Sequence, residues 1–256
     1  MDTRTLAQSA LDPLAGPADR LFRLRPEVYQ GMLEHGLLTE GDGVELVDGL
    51  LVKASGNGSP TAATDRLYRI SLELYHEMTR QGLLTEYDKI ELLDGLLVTK
   101  MTKGNPHTTA VYDAVDSLRG VIPEGWHVKQ EAPIALPGGP GGWDNEPEPD
   151  VSVIRGRNRD YRARKPGPAD VALVVEVADS SVHGDRAKMR VYARSGISVA
   201  WLVNLVDGVI EVYTHPTGPA GPATYETVEL HHPGDLNAVV IDGREIGRVA
   251  VNDILP

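Results

Sequence analysis

Glu176 stands in the middle of an apolar run, Val171-Ala172-Leu173-Val174-Val175-Glu176-Val177-Ala178. A valine-rich run of this length, free of Pro and Gly, predicts a strand buried on both faces. An unpaired carboxylate there costs several kcal/mol, so it must be protonated, paired or bound to a metal. A second acid, Asp150, opens another predicted strand in Glu146-Pro147-Glu148-Pro149-Asp150-Val151-Ser152-Val153-Ile154, and Lys188 follows on the next predicted helix. Two carboxylates on neighbouring strands with a nearby lysine suit a divalent-metal nuclease. Mg²⁺, or Mn²⁺ in its place, takes one or two carboxylates together with waters and substrate phosphate oxygens. It then activates a water and offsets the charge that builds on a phosphodiester.

Strand alternation puts Asp150 on the face of Ser152 and Ile154, and Glu176 beside Val174 and Ala178. At about 100° per residue, Arg186, Arg190 and Arg194 form one helical stripe, expected to face solvent or a nucleic-acid backbone. Lys188 falls on the opposite side with Asp185 and Tyr192, facing inward, where a lysine stabilises transition-state charge. Plainer readings stand beside this one. Glu176 and Lys188 form an internal ion pair without metal, Asp150 is a turn residue after Pro149, or Lys188 pairs with Asp185 at the surface.

Weaker candidates surround the two acids. Glu91 lies inside the apolar strand Ile90-Glu91-Leu92-Leu93, but an equivalent Glu45 exists where no later strands complete a site. His107, at a helix start, suits a phosphate contact, a cap or packing. Gln130 and Glu131 precede Asp150 on the neighbouring strand and offer a further ligand. No G-x-x-x-x-G-K-[ST] phosphate loop and no G-x-S-x-G nucleophile elbow occur.

The elements that must position these residues begin with a duplication. DRLFRLRPEVYQGMLEHGLLTEGDGVELVDGLLV, from Asp19, recurs without gaps from Asp65 as DRLYRISLELYHEMTRQGLLTEYDKIELLDGLLV, with 20 of 34 positions identical. Each copy reads as a helix (Pro26 to His35, Leu72 to Gln81) stopped at Gly36 or Gly82, then a hairpin turning at Asp48-Gly49 or Asp94-Gly95. We assign residues 1–18 to a disordered tail, 19–54 to a duplicated helix–hairpin appendage, 55–64 to a linker and 65–256 to the main domain. Within the latter, a helix is expected over 106–121, and strands over 126–136, 150–154, 171–178, 199–204, 209–213, 224–230 and 238–241. A helix is also expected over 185–195. This order of elements predicts an α/β or α+β fold with a central mixed sheet flanked by helices.

Composition narrows the class. At 256 residues with 41% hydrophobic and 24% charged content, the chain suits a globular protein with one substantial core. No apolar run reaches membrane-spanning length, so no membrane partner is expected. The N-terminus does not read as a signal peptide, and cysteine is absent. We expect a cytoplasmic, prokaryotic protein. The net charge of −12 argues against a protein that coats nucleic acid, yet leaves room for a metal-dependent nuclease with a local basic stripe.

The stretches IELLDGLLV, NPHTTAVYDAV, EPEPDVSVI, VALVVEVADSSV, DRAKMRVYARSGI and AWLVNL, in this order, resemble the Uma2 (Uma-two) family within the PD-(D/E)XK nuclease superfamily. The resemblance covers about Asp65 to the C-terminus. It implies a restriction-endonuclease-like fold and Mg²⁺-dependent hydrolysis of DNA. By motif, Asp150 and Glu176 match the metal-binding acids, Lys188 the catalytic lysine and Glu91 the early glutamate. Ala178 stands where the superfamily's E-x-K lysine would be. The extra N-terminal copy is not a family feature. The alternative to the enzyme is a catalytically silent interaction module, a homodimer formed through its sheet edge or its duplicated segment.

Overall fold

The computed structural model describes residues 20–54, 67–138, 142–180, 182–219 and 223–255. The expected tail and the whole of the expected linker lie outside the described residues. The chain divides into two compact units: Asp19–Lys100 with Pro137–Asn145, and Met101–Leu136 with Glu146–Pro256.

The first unit holds the two copies. Copy one comprises helix α1 (Pro26–Glu34) and strands β1 (Val44–Val47) and β2 (Leu50–Lys53); copy two comprises α2 (Leu72–Arg80), β3 (Ile90–Leu93) and β4 (Leu96–Thr99). Both hairpins turn on Asp-Gly pairs with two consecutive positive φ angles, 49° and 78° at Asp48-Gly49 and 49° and 69° at Asp94-Gly95. This type I′ geometry matches the twist of the flanking strands. The copies complete one another. Leu24 and Ile70 donate to the turn carbonyls of their own hairpins, Gly49 and Gly95, each at 2.8 Å. Phe22, however, donates to Leu97 of copy two, and Tyr68 to Leu51 of copy one, each at 2.9 Å. Met32, Leu38, Met78, Leu84 and Leu92 then share one core drawn from both copies.

The second unit is built on a six-stranded mixed sheet in the order β10-β9-β8-β7-β6-β5. Its strands are β5 (Trp126–Gln130), β6 (Val151–Arg155), β7 (Val171–Ala178), β8 (Val199–Asn204), β9 (Val209–Pro216) and β10 (Tyr225–His231). Only β7 and β8 run parallel, and helix α4 (Val182–Arg194) connects them, as a parallel pair requires. Alternating residues of β7 serve two cores. Leu173, Val175 and Val177 pack with helix α3 (Asn105–Arg119), through Val111, Val115 and Leu118. Val174 and Ala178 pack on the other face with Met189 and Tyr192 of α4. Glu176 therefore points to the α4 face.

The mixed sheet flanked by helices is the fold expected. Three details differ. The strand expected over 126–136 ends at Gln130, because Glu131 takes φ 46°, a left-handed conformation that breaks the ladder. Helix α4 begins at Val182, earlier than expected. The strand expected over 238–241 is β11 (Leu236–Ile241), one arm of a hairpin with an unanticipated β12 (Arg244–Ala250). Its turn, Asp242-Gly243, has φ 50° and 74°, the same Asp-Gly signal as in the two copies.

Candidate functional site

Register brings the two acids together. Antiparallel β6 and β7 pair Val151 with Val175 and Ser152 with Val174, and Asp150, the residue just before β6, reaches the backbone N–H of Val177, next to Glu176. Both are buried: Asp150 is 4% and Glu176 2% exposed.

Each acid is held by cations and donors from a different helix. Asp150 Oδ2 accepts from the Val177 backbone N–H at 2.8 Å and lies 3.2 Å from His107 Nε2 in the first turn of α3. Oδ1 accepts from Lys103 Nζ at 2.8 Å, just before that helix. The positive end of α3 adds to this field. Burial alone would raise the Asp150 carboxyl; His107 and Lys103 outweigh it and bring it from 3.8 to about 2. Lys103 is pushed up in turn: burial works against its charge, but Asp150 and Glu131 more than offset that. Donation from His107 Nε2 leaves its buried Nδ1 without a hydrogen-bond partner among the described residues.

Glu176 is served by α4. Tyr192 donates its hydroxyl to Oε1, and Lys188 Nζ stands 3.3 Å from Oε2. Residues four apart stack on one helical face, which is why both reach the same carboxylate. Lys188 is 7% exposed and is not a surface lysine.

A third buried acid, Glu211, lies across the sheet from Glu176. Glu176 pairs with Leu202 on β8, and Leu202 with Glu211 on β9. Glu211 is fully buried and accepts from Arg186 Nε at 3.1 Å, Asn204 Nδ2 at 3.0 Å and the Tyr213 hydroxyl. Burial, and then Glu211, push the Tyr213 phenol far above its ordinary value. This corrects the expected arginine stripe. Arg186 turns inward, because a carboxylate at the centre of β9 must be compensated, and Arg190 and Arg194 are only half-exposed.

Among the other sequence candidates, Gln130 pairs with Val151, whose side chain belongs to the α3-side core. Its neighbour Glu131 instead accepts from Lys103 Nζ at 2.6 Å. Glu91 lies on β3 of the repeat unit, 3% exposed, whereas its equivalent Glu45 is exposed. Lys103 had no signal in the sequence: a lysine before a predicted helix is unremarkable until the fold carries it to Asp150. Among the described residues, no group of three or more His, Asp and Glu side chains is arranged to hold a metal ion. No helix among them is long and apolar enough to cross a membrane.

A crystal structure described as "a putative nuclease", from Anabaena variabilis, shares this fold with a TM-score of 0.53. It is 16% identical, and the match covers 73% of this chain and 97% of the other. No curated protein matches the chain. The model of the Uma2 family, "Putative restriction endonuclease", matches residues 72–246, more than half of the sequence and all of the rungs around Asp150 and Glu176. The chain belongs to the Uma2 family.

Proposed function

We propose that this protein is a metal-dependent endonuclease that hydrolyses DNA phosphodiester bonds, with Asp150 and Glu176 as ligands for Mg²⁺ or Mn²⁺. The observation that carries this reading is that buried Asp150 binds the backbone N–H next to buried Glu176, with a lysine drawn to each carboxylate. Two carboxylates suit Mg²⁺, whose remaining positions go to water and phosphate oxygens. A bound divalent ion supplies a more acidic water and charge neutralisation at the phosphate. Lys188 is the catalytic lysine of this reading. In this reading its amine, 3.3 Å from Glu176, would stabilise charge on the substrate phosphate. Tyr192 fixes the rotamer of Glu176. His107 holds Asp150 through Nε2.

A second reading has its own support. Both carboxylates already have cationic or hydroxyl partners, so the network is complete as an ion-pair cluster and suits a silent nuclease-fold interaction module that self-associates. Calorimetry with Mg²⁺ or Mn²⁺ on wild type and Glu176→Ala, with plasmid nicking followed in the same samples, separates the two. The enzyme reading expects binding and nicking in wild type and the loss of both in the variant. No metal binding by wild type at millimolar concentration overturns it.

A further inference from the structure

We infer that the segment between β6 and β7, residues 155–165, is a docking loop for the sugar–phosphate backbone of nucleic acid. The inference rests on the phosphodiester reading of the Asp150–Glu176 site for its choice of polyanion. Six of the chain's 25 Lys and Arg residues fall in these eleven positions, Arg155, Arg157, Arg159, Arg162, Arg164 and Lys165, with one acid, Asp160, among them. The whole chain carries −12, so this is a local reversal of sign.

The basic residues divide into two groups. Three are fastened to acids. Arg155 grips Asp242 with Nη2 at 2.8 and 2.9 Å and lies over the Trp126 ring at 4.3 Å. Arg164 pairs with Asp170 and lies over Tyr161, and Lys165 pairs with the buried Glu146. These contacts fix the course of the loop. The other three project from it. The Arg157 side chain is 70% exposed; its backbone N–H donates to Asp160 at 2.8 Å, while its guanidinium Nε stands 4.0 Å from that carboxylate. Arg159 and Arg162 are exposed and have no carboxylate partner among the described residues. A solvated surface in a strongly acidic protein needs no such triplet. Arginine's planar, permanently charged fork matches phosphate oxygens.

Placement agrees with this role. Tyr161 packs into the same core as Ile154, Val174 and Tyr192, so the loop is anchored on the face of the sheet to which Glu176 points. Asp150 lies at one end of β6 and Arg155 at the other, five residues apart, or about 17 Å at the rise of a strand. Along the axis of a duplex, each strand carries one phosphate every ~3.4 Å. A duplex with its axis along β6, held at Arg157, Arg159 and Arg162, thus passes the two acids about five base pairs further on. Phosphate contacts of this kind position a duplex without reading its sequence.

The test is fluorescence anisotropy of the full chain with a labelled DNA duplex of about 20 bp in EDTA, repeated across a salt series. The charge reversal R157E/R159E/R162E is expected to weaken binding at least tenfold and to flatten the slope of log K against log salt by about 2–3. The corresponding triple lysine variant should retain most of the binding, because charge is kept. A charge-reversed protein that is folded and binds as wild type does, or a wild type that binds no duplex at ~50 mM salt, overturns the inference. So does saturable binding to anionic lipid vesicles with none to DNA. Binding through the loop without nicking by wild type would sink the nuclease reading and leave the loop standing; nicking with binding unaffected by charge reversal would do the opposite.

Discussion

Lys188 Nζ stands 3.3 Å from Glu176 Oε2, and neither side chain is more than 8% exposed. The pair joins α4 to the centre of β7 and makes the helix and the acid one mechanical unit.

Removing the cation therefore tests the charge state of Glu176. Lys188→Met keeps most of the stem and deletes the ammonium. It should cost about 3 kcal/mol in urea denaturation, because a buried carboxylate loses a compensating charge. Millimolar Mg²⁺ should restore more of that loss than it adds to wild type. A urea midpoint equal to that of wild type would mean that Glu176 is held as the neutral acid.

Asp150 sets a pH dependence. Its carboxyl is pulled from 3.8 to about 2 in the folded protein. The native state thus binds this proton more weakly than the unfolded chain does. The stabilisation, about 2 kcal/mol, is fully present above pH ~4 and is lost as pH falls toward ~2. Asp150→Asn should remove this component of the acid limb, measured as stability in urea between pH ~5 and ~2.

Much of this site was legible beforehand, and the boundary has a physical cause. A glutamate within eight apolar residues is a local anomaly, so Glu176 showed itself, and Lys188 and Tyr192 followed from helical spacing. Asp-Gly turns revealed the two early hairpins. The same signal stands at Asp242-Gly243, in the turn between β11 and β12. Lys103 and the Arg186–Glu211 pair were hidden because they depend on which strands become neighbours. Helical periodicity sorts residues into faces but says nothing of a buried acid waiting on β9. Glu131 was hidden differently, since its left-handed backbone ends the strand where the pattern suggests continuation.

Arg186 and Arg159 offer a contrast between a buried and a solvated arginine. Arg186→Met leaves Glu211, with no exposed surface, without its guanidinium and should destabilise the fold by about 3 kcal/mol. Arg159→Ala, at an exposed position, should change stability by less than ~0.5 kcal/mol. Thermal and urea unfolding of the two variants side by side would expose an error in either assignment.

The repeat unit makes a prediction of its own. Gly49 has φ 78°, and a Cβ there would meet Arg23 Cβ at 2.8 Å. Gly49→Ala should cost about 1–2 kcal/mol through its left-handed backbone alone. Hydrogen exchange should then quicken at the Tyr68 and Ile70 amides of copy two as well as at Leu24 of copy one. Faster exchange confined to copy one would show that the copies unfold separately.

The crossed bonds from Phe22 to Leu97 and from Tyr68 to Leu51 also bear on how this unit forms. A single copy has half of a ladder and would have to find its complement in solution, at a rate set by protein concentration. Both halves on one chain meet at an effective concentration on the order of millimolar. Assembly of the unit is then a first-order event, as fast in a dilute sample as in a crowded one.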